Sequence, residues 1–154
     1  MAEATVGRAS RRAREFAFRV LFEAEQGVND IHTAWENAKL EVIEKKDTRD
    51  RDENNDLDSN GMIFAHRLVL GFDEKRYEVD QTLERVIEGW TFTQMSQTDL
   101  NILRISSYEM MFLDTPHPVV IEMAVRIAKR YGGEESGKFV NGVLARLIKH
   151  LEKV

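Results

Sequence analysis

The sequence predicts an all-α protein, and three observations predict it. Apolar residues recur at spacings of three and four along most of the chain, the helical period, and no segment alternates convincingly as a half-buried strand does. Glycine and proline are scarce, nine and two among 154 residues, too few for the many tight turns of a β-protein. The composition, 42% hydrophobic and 32% charged, lets a chain of this length bury a core and keep a charged surface.

Taken in order, residues 10–26 carry Phe16, Ala17, Val20, Leu21 and Ala24 on one face, with Phe18 and Phe22 one turn apart on a neighbouring face. Ser10 is the expected N-cap and Gly27 the stop. A second helix over 30–46, capped by Asp30, turns Ile31, Ala34, Trp35, Ala38 and Val42 inward. From Asp47 to Asn60 the only apolar residue is Leu57. Such a stretch buries too little surface to offset its ordering entropy and reads as a mobile polar loop; an acidic interaction segment is the alternative.

A third helix over 61–71 carries Ile63, Phe64, Leu68 and Leu70 and closes at Gly71. A fourth over 75–88 carries Val79, Leu83, Val86 and Ile87 and leads into Gly89 and Trp90. Ser96 followed by Asp99 resembles a capping box and opens a fifth helix through Leu100, Leu103, Ser107, Met110 and Met111, ended by Pro116 and Pro118. A sixth over 119–131, with Ile121, Ala124, Val125 and Ala128 inward, ends at Gly132 and Gly133. The seventh spans about 136–151 with Val140, Val143, Leu144, Leu147 and Leu151. The break at Thr91–Met95 divides these seven helices into two helical subdomains packed as one domain over residues 1–154.

Several function classes drop out. No run approaches the roughly 20 apolar residues of a membrane span, and the N-terminus lacks the apolar region of a signal peptide, so a soluble, cytoplasmic protein is expected. With no cysteine there is no thiolate metal site or cysteine nucleophile. None of the four histidines, His32, His66, His117 and His150, pairs at the spacing of a helical zinc motif. Acidic pairs such as Glu41/Glu44 and Glu134/Glu135 are no more than 27 acids produce by chance. The glycine-rich Gly132–Lys138 stretch has the wrong spacing for a P-loop and two acids that would repel a phosphate. No catalytic residue, metal or cofactor is expected.

The charge is unevenly placed. The net charge is −5, yet Arg8, Arg11, Arg12, Arg14 and Arg19 face one acid, Glu15, in the window 8–19, a local charge of +4 on a chain that otherwise totals −9. Arginine makes forked hydrogen bonds to phosphate. Arginines in the first turns of a helix oppose its dipole, and a bound anion would relieve that. The other reading is a solvated basic end paired with acids elsewhere. Near the C-terminus, Lys138 and Phe139 sit beside the inward stripe of the last helix; Phe139 either stacks a base of single-stranded RNA or is core.

Four stretches carry a family resemblance. Arg11-Arg12-Ala13-Arg14-Glu15, Asp99–Arg104 with Tyr108-Glu109, Val120–Ala124 with Ala128–Gly132, and Glu135–Leu144 containing KFVNG resemble, in order, the motifs of the NusB family of bacterial transcription antitermination factors. The similarity covers nearly the whole chain outside about 44–60. It implies an all-α fold of two subdomains and binding of single-stranded boxA RNA of ribosomal RNA leaders. It also implies partnership with NusE, a small-subunit ribosomal protein, in the RNA polymerase antitermination complex. By the same resemblance Arg11, Arg12, Arg14, Glu135, Ser136, Lys138 and Phe139 contact RNA, and Phe22 and Asp99 contact NusE. Members include monomers and homodimers. Two other readings stand beside this one. One is a domain like the N-terminal RNA-binding part of an rRNA cytosine methyltransferase, whose catalytic segment has no counterpart in these 154 residues. The other is a protein scaffold that binds no RNA.

Overall fold

The computed structural model describes residues 2–27, 30–44 and 57–153, with side chains described for 11–27, 30–42 and 57–153. Among them are five α-helices, α1 (Ala2–Gln26), α2 (Ile31–Glu44), α3 (Ser59–Val86), α4 (Gln97–Phe112) and α5 (His117–Glu152), a 3₁₀ turn at Phe92–Gln94, and no strand. The all-helical class stands; the count of seven does not. The expected breaks after Gly71 and at Gly132–Gly133 are not helix ends; the chain only bends there inside longer helices, at Lys75 (φ −103°, ψ 16°) in α3 and at Gly133 (φ 85°, ψ −173°) in α5. A glycine inside a helix costs only about 1 kcal/mol. Gly71, read as an end, is therefore tolerated within α3.

The chain divides into two compact units, Met1–Leu70 and Gly71–Val154, so the division falls inside α3 and not at Thr91–Met95. In the first unit, α1 buries Ala13, Phe16, Ala17, Val20 and Leu21, and α2 buries Ile31, Ala34, Trp35 and Ala38. Phe16 meets Trp35 edge-on at 5.3 Å, and His66 of α3 packs against the same indole at 4.6 Å. Leu68 is buried as expected, whereas Ile63, expected inward, is 68% exposed, and Ala65 and Val69 are buried instead.

Local capping follows the sequence. Gly27 N–H donates to the Glu23 carbonyl at 2.9 Å as α1 ends. Asp30 accepts from Thr33 N–H at 2.8 Å at the start of α2, and that bond holds its carboxyl below the usual range. This contribution to stability is therefore present above the unfolded carboxylate's pKa and is lost as pH falls through the lowered folded value. Asp58 accepts from Gly61 N–H at 2.7 Å at the start of α3. Of the predicted 47–60 loop, residues 47–56 lie outside the described residues; Asp58 is a cap, and Ser59 and Asn60 already belong to α3. Ser10 lies inside α1, which begins at Ala2.

In the second unit α4 is buried on every side from Leu100 to Met110. Ser96 caps it, accepting from Asp99 N–H at 3.0 Å. Such a helix forms a core layer, which explains why its apolar residues show so little sidedness. It packs against α5, which buries Val120, Ala124, Ile127 and Ala128 before the Gly133 bend and Val140, Val143, Leu144 and Leu147 after it. Ile121 and Val125, expected inward, are only partly covered. Arg146 Nε donates to the Val86 carbonyl at 2.9 Å, satisfying the last carbonyl of α3.

Candidate nucleic-acid interface

The residues singled out from the sequence lie in both units. On α1, Arg11 and Arg12 are partly exposed and Arg19 is exposed. Arg12 reaches Glu15 at 3.9 Å, a long pairing that leaves most of its donors for another acceptor. Arg12 and Arg19 are seven residues apart, two turns along one helical face. Arg14 is different. It is 3% exposed, and its guanidinium lies 5.0 Å from the centroid of the Phe64 ring. The expectation that Arg14 contacts RNA is not met by this arrangement, because a phosphate has no access to a side chain packed inside the unit. The dipole argument also changes. With α1 starting at Ala2, Arg11–Arg14 lie well beyond the first turn, to which the dipole's influence is confined.

The second group follows the Gly133 bend. Gly133 holds φ 85° and ψ −173°, a region essentially reserved for glycine. The bend redirects the chain so that Glu135 and Lys138 are exposed and Ser136 and Phe139 partly so. Lys138 and Glu135 approach at 3.8 Å, both largely in solvent, where such a pair contributes little. Ser136 sits so close to Gly132 that a Cβ there would collide with its Oγ. Replacing Gly133 by alanine is expected to cost about 1–3 kcal/mol of backbone strain, seen in a thermal melt as a fall in Tm of about 3–10 °C. An unchanged Tm would show that the bend needs no glycine.

Phe139 is neither fully core nor free. Its ring meets Trp90 at 6.0 Å between centroids and 69° between planes. Trp90 follows the fourth predicted helix, and no spacing in the sequence gives it a role; an aromatic directly after a glycine is the one signal it carries. Phe22 is partly exposed and lies 6.1 Å from the buried Phe18 ring. Asp99 occupies the first turn of α4, partly exposed, with Oδ1 buried and lacking a hydrogen-bond partner. That oxygen is 3.7 Å from where a Cβ on Gly132 would stand, so Asp99 adjoins the start of the second group.

Among the described residues no three His, Asp or Glu side chains gather as a metal site, and no helix is long and apolar enough to cross a membrane. The described surfaces present cations, aromatics and hydrogen-bonding groups. They are suited to holding a polyanion and its bases.

Comparison with known proteins adds to this. Residues 11–149 match the model of the NusB family. The chain is 47% identical over 142 residues to the transcription antitermination protein NusB of Deinococcus deserti, covering 92% of this chain and 82% of that protein. Among solved structures it is similar to T. maritima NusB, at 35% identity and a TM-score of 0.73 over 90% of this chain and 89% of that one. It is also similar to a chain in a crystal structure of the antitermination factors NusB and NusE in complex with dsRNA. That likeness has 27% identity and a TM-score of 0.75 over 93% of this chain and 98% of that one.

Proposed function

The chain belongs to the NusB family, and from that membership we propose that it is a non-enzymatic, RNA-binding transcription antitermination factor that works with NusE. The observation that carries this reading is a family match spanning Arg11 to Lys149, a range that includes both the arginine face and the Glu135–Phe139 segment. It acts as one NusB-like domain in the cytoplasm, and its RNA is the single-stranded boxA element of ribosomal RNA leaders. With NusE it tethers the nascent RNA near RNA polymerase, so that the elongation complex resists termination. Phosphate contacts from Arg11 and Arg12 give affinity and salt dependence. Base contacts from the Glu135–Phe139 segment give selectivity. Arg14 supports the arginine face from inside.

The test is RNA binding by the full chain, measured with and without NusE on boxA RNA and on a scrambled strand. Tighter binding of boxA, strengthened by NusE, is expected. Equal binding of both strands with no effect of NusE overturns the reading.

Phe22 and Asp99 are the proposed NusE contacts. Asp99→Asn keeps the shape and removes the charge, so it is expected to weaken NusE association about 5- to 20-fold, within the range for loss of an interfacial charge. Ser96 Oγ still accepts from the backbone N–H of residue 99, so the cap survives. Calorimetry with NusE checks this, and unchanged affinity removes Asp99 from the partner surface.

A further inference from the structure

We propose that Trp90 is a base-stacking residue, its exposed indole face receiving an unpaired nucleobase of the bound RNA in the corner it makes with Phe139. This rests on the RNA-binding reading above and adds a residue to it from outside the matched KFVNG segment.

The first observation is exposure. The chain has two tryptophans; Trp35 is 7% exposed and Trp90 is 53% exposed. A single exposed aromatic is ordinary on a protein surface, so its setting decides the matter. Trp90 meets Phe139 at 69° between planes. Two rings at that angle form an open corner, where a flat base stacks on one face and meets the edge of the other. Lys138, the neighbour of Phe139, is exposed and carries a charge suited to the adjoining phosphate. Aromatic faces beside a cation are the chemistry that binds single-stranded nucleic acid.

The second observation is that Trp90 is held in place. Gly89 before it adopts φ 81°, a left-handed turn that an L-residue rarely makes. After it, Thr91 N–H donates to Gln94 Oε1 at 2.9 Å. Phe92 lies 5.6 Å from the guanidinium of Arg104, which is itself bound to Asp80. The connection is thus tied down on the side following the indole, and a ring already in position loses little entropy when a base stacks on it.

The experiment titrates the full chain with single-stranded boxA RNA, reading affinity by anisotropy of a labelled strand and contact by tryptophan emission. Emission is expected to fall at saturation, and the fall is expected to vanish in Trp90→Phe while affinity changes less than about threefold, because a phenyl ring still stacks. Trp90→Ala is expected to lose about 5- to 100-fold in affinity with an unchanged melt. A blunt duplex of the same sequence, its bases already stacked, is expected to leave emission unchanged. If the chain binds RNA but emission is unaltered, or the fall persists in Trp90→Phe, or the duplex quenches equally, the inference is overturned and the RNA-binding reading stands. If the chain binds no RNA with or without NusE, the reading itself fails. Should Trp90→Ala not fold, the emission of the native chain and of Trp90→Phe still decides.

Discussion

Replacing Arg104 by alanine is expected to destabilise the protein by about 2–4 kcal/mol, lowering Tm by about 5–15 °C. Nε and Nη2 of Arg104 donate to the two carboxylate oxygens of Asp80, each at 3.0 Å. The guanidinium also lies 5.8 Å from the Phe72 ring and 5.6 Å from the Phe92 ring. Exposed ion pairs contribute less than about 1 kcal/mol, whereas breaking a buried pair costs about 3–5 kcal/mol. The side chains here are 10% and 21% exposed, which places the pair toward the buried end. Alanine leaves the mostly covered Asp80 carboxylate without its forked partner and removes the cation near both rings. Arg104→Lys keeps the charge but not the fork, so an intermediate loss is expected. A denaturant melt checks both, and a change under about 0.5 kcal/mol for the alanine variant, no more than an ordinary surface substitution causes, would show that the pair is ornamental to stability.

Changing Arg11 and Arg12 together to alanine is expected to lower RNA affinity about 100-fold at low salt, two charge-assisted contacts being lost. It should also reduce the slope of log affinity against log salt by about 1.4, since each phosphate contact on a single strand contributes about 0.7. Arg14→Ala is expected to behave oppositely. Its guanidinium packs over Phe64 inside the unit, so the melt should shift while the salt slope does not. Titrations at three or four salt concentrations separate these outcomes. A slope unchanged in the double variant would remove the phosphate role from α1, and a slope lowered by Arg14→Ala would return Arg14 to the RNA surface.

Periodicity was enough to read the all-helical class, and some of the end signals hold. Gly27, Asp30 and the Ser96–Asp99 pair act where the sequence put them, because a helix end depends on hydrogen bonds between residues three or four apart. The four motif stretches likewise pointed to the family from local residues alone. Other features were decided by what lies across from a residue. Gly133 gives the same local signal whether the chain stops or bends, and the structure makes it a bend within α5. Asn101, Ser106 and Glu109 look like solvent-facing positions, yet all are buried because α4 is covered on every side. Arg12 and Arg14 are two positions apart and read as one cluster. About 200° of rotation separates them on a helix, and that rotation puts one at the surface and the other against Phe64. Trp90 and Phe139 belong to segments far apart in the chain, and no spacing rule joins them; their corner exists only because the fold brings Trp90 up to Phe139 of α5. Hydrogen-bond period is a property of neighbours along the chain and is written in the sequence. Burial is a property of neighbours in space, and only the packed structure supplies it.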